Sequence, residues 1–561
     1  MPSELDGKID ATLAEVIGPG GSVQIERDEK GRAIVANFPA TLPMLFDAFC
    51  ALYGSTEAVI AEGERLTFAA LDEAATRLAH ALVGSFGIVK GDRVAIAMRN
   101  CPAWIVSYMA VLKAGGIAVL VNGWWQTEEL RHGLALTEPR LVICDAARAR
   151  RAEATGLDVP TVSLPVERPI EEALAPMFER GVSGPLPEVR PEDDATILFT
   201  SGSTGLSKGA LSTHRAATTG VYAYAVGLLT LLGILAKDGR PPASPPKTLV
   251  NVPLFHVTGE IPVLLNSFVI GRTMVLMAKW DPGEALRLIA EEKITYFVGV
   301  PTMSLELMQH PDREKYDLSS LTDIAAGGAA RPVAHVKRLQ ESFRGAQPAL
   351  GYGLTETNAV GCSNYWQNYA DKPASSGRSH APFVEIAILD DDDRHLAAGE
   401  RGEIAIRSAA NFHRYWRDPA ATEAAFTADD YFRTGDIGYL DEDNYLFIVD
   451  RKKDIIIRGG ENISCQEVEA AIYAHPAVSE ASVFGVPDER LGEVPAAVLY
   501  SESDEALSAE AVRDFLAQRV ARFKIPAHIW VHRDPLPKLG TGKIDKLTLR
   551  EGYRKALTEA V

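Results

Sequence analysis

The chain has 561 residues, 47% hydrophobic and 24% charged, with 46 Gly and 33 Pro. That length exceeds one ordinary core of about 100–200 residues, and that composition is neither disordered nor fibrous, so two or more packed domains are expected. Lys and Arg total 57 against 75 Asp and Glu, a net charge of −18, which argues against non-specific attraction to nucleic acid or anionic membranes and leaves any polyanionic ligand to a local site.

From about residue 55, short β-rich runs alternate with helical patterns, the signature of mixed α/β layering. Arg93–Met98 reads as a buried strand, Pro102–Ala114 as a helix halted by Gly115-Gly116, and Ile117–Val121 as the next strand. A helix opens at Thr127 and a strand covers Arg140–Cys144. The alternation resumes with strands at Ala195–Phe199, Thr248–Val252 and Thr273–Met277. A helix capped by Asp281-Pro282 then reaches Glu292, and strands follow at Tyr296–Val300 and Asp323–Ala326.

The stretch from Ala216 to Ala236 carries no charged side chain and approaches the length of a membrane span. Gly220, Gly227 and Gly233 interrupt it and no Lys/Arg asymmetry flanks it, so a buried or oligomer-facing helix is expected, with peripheral membrane contact as the alternative. The Pro-rich 184–191 and 241–246 segments read as surface connections, and Asp390–Asp393 as a solvated turn. Beyond residue 450 the pattern becomes compact. A capping box is expected at Ser464-Cys-Gln-Glu467, strands at Ala481–Val486 and Ala496–Tyr500, and a helix through Arg522. This divides the chain into a large domain, 1–452, and a small α+β domain, 453–561. Five scattered cysteines without a CxxC pair, and an N-terminus without a secretory pattern, place the chain in a reducing cytoplasm. A monomer or homodimer is expected.

The strongest chemical signal is Ile197-Leu-Phe-Thr200-Ser201-Gly202-Ser203-Thr204-Gly205-Leu-Ser207-Lys208-Gly209. An apolar strand delivers small residues whose hydroxyls and N–H groups can surround a polyphosphate, with Lys208 adding charge. It is not a Walker loop, which needs Gly-Lys-Ser/Thr after four residues.

This loop resembles the signature of the adenylate-forming superfamily. Further matches follow in the family's order: Pro253-Leu-Phe-His256, Gly327-Gly328-Ala329, Gly351-Tyr352-Gly353-Leu-Thr355-Glu356-Thr357, Tyr431-Phe-Arg-Thr-Gly-Asp436, Asp450-Arg451-Lys-Lys453-Asp454 and Pro537-Lys-Leu-Gly-Thr-Gly-Lys543. The set spans residues 60 to 548 and points to the acyl-CoA synthetase branch.

The resemblance implies a large multi-sheet adenylate-forming domain, a small mobile domain and a two-step reaction. A carboxylate attacks the α-phosphate of ATP, giving an acyl-adenylate and pyrophosphate; the thiol of CoA then attacks the mixed anhydride. Thr200, Ser201, Thr204 and Lys208 would hold the outer phosphates, with Gly202, Ser203 and Gly205 shaping the loop, and Thr355 would contact the α-phosphate. Glu356, with Thr204, would ligate Mg²⁺, a hard cation suited to oxygen donors. Gly328, Ala329, Gly351, Tyr352 and Gly353 would form the adenine side, and Asp436 would accept the ribose hydroxyls, with Arg451 beside ribose or phosphate. Lys543 would bridge the attacking carboxylate and the α-phosphate. Lys453 is the implied hinge, and Gly459-Gly460 would let a pantetheine arm pass close to backbone.

His256 stands where amino-acid-activating relatives carry an Asp for the substrate ammonium, which argues against amino-acid activation. It reads as a pocket residue or gate. With Val300, Gly327 and Gly328 it would line an apolar acyl pocket for a medium- or long-chain or other hydrophobic acid. Glu260 facing that pocket would favour a polar or hydroxylated tail; facing outward it carries no such meaning. Trp124-Trp125 reads as buried packing, with acyl-tunnel lining as the alternative. CoA is the expected acceptor, because no carrier or reductase segment follows the lysine loop. A free-standing acyl-AMP ligase that loads a carrier protein is the alternative. A non-catalytic nucleotide binder would be expected to have lost Lys543, Glu356 or Asp436, and all three are present.

Overall fold

A computed structural model describes residues 2–559 except 62, 201–206, 329–330, 344, 453, 459–460, 503–506 and 540–541. Two large sheets form the body. One has seven strands, in the order Arg414–Tyr415, Lys208–Thr213, Asp194–Thr200, Ile117–Leu120, Arg93–Ala97, Leu141–Asp145 and Thr161–Leu164. The other has nine, with a parallel centre of Gln347–Gly353, Asp323–Gly327, Tyr296–Gly299, Lys247–Val250 and Thr273–Leu276. Eight of these twelve are the predicted strands, shifted at their ends by a residue or two; Thr161–Leu164, Lys208–Thr213, Gln347–Gly353 and Arg414–Tyr415 are additional to them. A four-stranded antiparallel sheet, from Val384–Leu389 to Leu446–Arg451, follows. A final five-stranded sheet is built wholly from residue 456 onward, and the Cys465–Tyr473 helix packs on its Glu480–Asp488 strand.

The helix at Pro102–Lys113 is buried on nearly every face, so its apolar residues run around it instead of forming one stripe. Its last residue, Lys113, is held by Asp47 and by Asp72 at 2.8 Å, which supplies the pairing a buried ammonium requires.

The apolar stretch becomes the helix His214–Lys237, long and apolar enough to cross a membrane. None of its residues from His214 to Leu235 is exposed. A Cβ at Gly233 would lie 2.7 Å from Thr12 Cγ2, so the glycine lets the Glu4–Ile17 helix pack closely against it.

Two local expectations change. Ser464 Oγ does accept from the Glu467 N–H at 3.1 Å, but the Glu467 carboxylate turns outward to Lys524 Nζ at 2.6 and 2.7 Å. A charged partner outcompetes the reciprocal half of the capping box. The helix expected to run through Arg522 ends at Ala517, and Arg522–Lys524 forms a separate 3₁₀ turn.

Candidate active site

Parallel strands aim their C-terminal ends at one edge, where ligands of open α/β sheets bind. Here Val300, Gly327, Gly328, Gly351, Tyr352, Gly353, Thr355 and Glu356 gather at that edge and line one cavity of about 2630 Å³. Thr200, Lys208, His256, Asp436, Arg451 and Lys543 line the same cavity. Ser201, Gly202, Ser203, Thr204, Gly205, Ala329, Lys453, Gly459 and Gly460 lie outside the described residues. Thr200 and Lys208, which flank the loop, are cross-strand partners.

Asp436 and Arg451 face each other across adjacent strands, with Arg451 Nε 3.6 Å from Asp436 Oδ1. The Tyr352 hydroxyl donates to Asp436 Oδ2 at 2.7 Å. Burial raises the Asp436 pKa, and the Tyr352 bond, Arg451 and Lys543 pull against that rise. The carboxylate is thus oriented by a phenol and an arginine.

Lys543 reaches this edge from the small domain. Gly328 has φ +74°, and a Cβ there would lie 3.0 Å from Lys543 Cε and 3.1 Å from Nζ. Glycine is therefore required both for the left-handed backbone and for the approach. The lysine loop is anchored by Lys538, whose Nζ lies 2.8 Å from Glu480 and 3.5 Å from Glu306 of the large domain. Burial, with the Arg451 charge, lowers the Lys543 pKa to about 8, and Asp436 opposes the fall.

Glu356 is buried, and its Oε1 accepts from the Tyr415 hydroxyl at 2.9 Å. Burial raises its pKa, and the backbone and Tyr415 bonds oppose that. Lys208 Nζ sits 4.8 Å from the Tyr415 ring centroid. Tyr415 thus links Lys208 to Glu356. Sequence reasoning missed it, because it carries no motif; its one mark is a two-residue strand pairing with the Lys208 strand, Tyr415 opposite Ala210. Among the described residues no cluster of three or more His, Cys, Asp and Glu could hold a metal.

His256 is neutral: burial and then Lys543 push its pKa down to about 3. Its Nδ1 accepts from the Thr258 N–H at 3.3 Å, which leaves Nε2 as the protonated nitrogen.

Glu260 does not face the cavity. It is fully buried, its Oε1 accepts from the Tyr108 hydroxyl at 2.7 Å, and burial lifts its pKa to about 7. The helical turn Gly259–Leu265 directs this side chain toward the Pro102–Lys113 helix while presenting Pro262 to the cavity. The tryptophan pair also divides. Trp125 is buried edge-on against Phe199, with ring centroids 4.7 Å apart, whereas Trp124 is 41% exposed and meets Phe255 at 4.8 Å.

From His256 the cavity continues as a tunnel along the sheet. Among the residues lining it are three sets spaced by two on three adjacent strands or just past their ends: Tyr296, Val298 and Val300; Asp323, Ala325 and Gly327; Gln347, Ala349 and Gly351. Alternation puts each set on one face. One wall is Thr258, Pro262, Asn266 and Ile270, spaced by four along a helical path; the other is Tyr224, Leu228, Leu231, Leu232 and Leu235 of the long apolar helix. From Val300 to Tyr296 the floor runs about 13 Å, taking about 3.3 Å per residue. The far end lies among Leu5, Lys8, Asp238 and Arg240.

The sequence profile of the AMP-binding enzyme family matches residues 46–416, and that of the AMP-binding enzyme C-terminal domain matches residues 467–543. The chain is 33% identical over 548 residues to a long-chain-fatty-acid–CoA ligase of Bacillus subtilis, covering 91% of this chain and 94% of that one. It is 32% identical over 491 residues to a feruloyl-CoA synthase of an Amycolatopsis species, covering 88% and 94%. Among solved structures it superposes on the o-succinylbenzoate CoA synthetase of Bacillus subtilis bound to ATP and magnesium, with TM-score 0.75, 28% identity and coverage of 90% and 98%. With both profiles matched in order, and with relatives aligned over nearly their whole length, the chain belongs to the AMP-binding, adenylate-forming enzyme family.

Proposed function

We propose that the protein is an ATP- and Mg²⁺-dependent acyl-CoA ligase for a hydrophobic carboxylic acid of medium or long reach. The observation that carries this reading is Lys543, delivered by the small domain against Gly328 in the cavity that also holds Lys208, Glu356 and Asp436. That arrangement suits the first half-reaction, in which two anions must meet.

Thr200 and Lys208 would hold the outer phosphates with the intervening loop, Thr355 the α-phosphate, Tyr352 the adenine and Asp436 the ribose hydroxyls. Glu356 would hold Mg²⁺, which supplies charge neutralisation on the phosphate oxygens. The acid lies in the tunnel with its carboxylate near His256. One carboxylate oxygen forms the bond to the α-phosphorus as the bond to the bridging oxygen breaks, and pyrophosphate leaves. Lys543 stabilises the charge shared between the attacking oxygen and the α-phosphate. In the second step the CoA thiol releases its proton to solvent, sulfur bonds to the acyl carbon as the bond from that carbon to the AMP phosphate oxygen breaks, and AMP departs. The small domain would turn about Lys453 to bring Gly459-Gly460 toward the entering pantetheine.

The small side chains of Ala325, Ala349 and Gly351 and the leucine wall favour an apolar acyl group. The test is pyrophosphate release across a panel of carboxylic acids, with and without CoA. Acid-dependent release and a CoA-dependent acyl thioester are expected. Acid-dependent release without thioester would assign the protein to carrier loading, and no release with any acid would remove the ligase reading.

A further inference from the structure

The tunnel is not apolar to its end. Asn266 is 5% exposed and lines the wall, and its Oδ1 has no hydrogen-bond partner among the described residues. An unpaired buried amide oxygen costs about 1–3 kcal/mol unless a ligand or water satisfies it. Asn266 stands eight residues beyond Thr258, two turns further along the same helical path.

Just beyond lies Arg272. Its Nε donates to Ser267 Oγ at 2.9 Å, and its Nη2 to the carbonyls of Pro262 at 2.8 Å and Val263 at 3.0 Å. Nη1 takes part in none of these bonds, and Arg272 makes no ion pair among the described residues. The guanidinium sits 5.0 Å from the centroid of Tyr296, which also lines the tunnel. A buried cation without a carboxylate beside an open cavity favours an oxygen acceptor there.

On the opposite side of the floor stands Asp323, which accepts from Trp366 Nε1 at 3.0 Å and from Thr322 Oγ1 at 2.8 Å. Trp366 has φ +51°, a left-handed conformation unusual for a bulky side chain. The end of the tunnel therefore offers an acceptor on Asn266, to which a carboxylate has no proton to donate, and donors on Arg272 and Tyr296; burial raises the pKa of Asp323 opposite, against its bonds from Trp366 and Thr322.

We propose that this station, Asn266 with Arg272 and Tyr296, reads a hydroxyl on the tail of the acid, its O–H donating to Asn266 Oδ1. The proposal rests on the acyl-CoA ligase reading and deepens it by naming the class of tail. A site built to hydrogen-bond an oxygen discriminates against the analogue lacking it, because its own polar groups are then left unpaired.

The experiment compares laurate, ω-hydroxylaurate and the corresponding ω-dicarboxylate by CoA-thioester formation, using the full chain and two variants, Asn266→Leu and Tyr296→Phe. The wild type is expected to favour ω-hydroxylaurate over laurate at least tenfold in kcat/KM. Asn266→Leu should cut that ratio at least fivefold, losing rate on the hydroxy acid and gaining it on laurate. Tyr296→Phe, which keeps the ring under Arg272, should cut it in the same direction. Circular dichroism checks that both variants fold; if Asn266→Leu does not, Tyr296→Phe alone decides. Equal use of laurate and ω-hydroxylaurate by the wild type, or a ratio unmoved in the folded variants, overturns the station while leaving the ligase reading standing. Preference for the dicarboxylate overturns the hydroxyl assignment. Failure of every acid to give pyrophosphate or thioester overturns both.

Discussion

Replacing Lys543 by Ala or Arg tests the electrostatic core of the mechanism. The ammonium starts from an ordinary pKa of 10.5 and stands at about 8 in the cavity, mainly through burial. At pH 7 about nine-tenths of the free enzyme carries the charge, and at pH 9 about one-tenth does. The charged form is the active one, so kcat/KM for adenylation should be flat below pH 7 and fall about tenfold per unit well above pH 8. The sign for stability is opposite: the unfolded chain keeps this proton up to 10.5, so between about 8 and 10.5 the lysine's penalty on the fold is relieved as pH rises. Removing one preorganised donor from a developing charge costs about 10²–10³ in rate. Lys543→Ala should show a loss of at least that size in pyrophosphate release, with thioester formation from a supplied acyl-adenylate largely retained. Lys543→Arg should be slower than wild type but without the alkaline limb. The readout is the pH profile of acid-dependent pyrophosphate release, which reports groups on the free enzyme. A limb near pH 8 that persists in the Arg variant, or equal loss of both half-reactions in the Ala variant, would refute the reasoning.

Glu260 has its pKa raised from 4.5 to about 7 by burial, so the fold favours its protonated form and stability should decline as pH rises from about 4.5 through 7. Glu260→Gln should flatten that part of the thermal-unfolding profile, and an unchanged slope would count against it; the acid preference should stay as it was, since the side chain lies outside the tunnel. Gly233→Leu should collide with Thr12, push the Glu4–Ile17 helix outward and lower stability by about 1–3 kcal/mol, read as a falling Tm. An unshifted Tm would mean that the close approach is relieved without cost. Tyr415→Phe removes the bond to Glu356 Oε1, a bond to a charged group worth about 1.5–3 kcal/mol. The Mg²⁺ concentration for half-maximal adenylation should shift several-fold; no shift would detach Tyr415 from the cation site.

Motifs with steep chemical demands were legible in the sequence. The strand that delivers Thr200 stands out by its run of small hydroxyl and glycine residues, while Gly351 to Glu356 and the Arg-Thr-Gly-Asp run ending in Asp436 were read through the family resemblance. The strands were legible too, since β-branched runs bounded by Gly and Pro persist in the parallel sheet. Orientation was not. Glu260 sits four residues from His256, a spacing that ordinarily shares a helical face, yet the wider turn at Gly259–Leu265 sends it to Tyr108. Tyr415 and Asn266 have no local signal, because their partners are over fifty residues away or absent. The mouth end of the tunnel floor, Val300 and Gly327, was read from the resemblance; Tyr296, Asp323 and Gln347 further along were not, because they read as ordinary strand residues until the strands are laid side by side.

The Glu4–Ile17 helix precedes the matched profile, which begins at residue 46. It is nevertheless tied to the body by Asp6, whose Oδ1 accepts from Tyr445 at 2.9 Å and Asn368 at 3.0 Å, and by Lys8 to Asp238 at 3.1 Å. Leu5 and Lys8 border the far end of the tunnel. On the proposed reading, trimming the chain to its profile boundaries would remove Leu5 and Lys8 from the compartment for the acid's tail. Substrate preferences measured on shortened protein would describe an altered vessel, so the entire chain is the form in which chain-length selectivity should be determined.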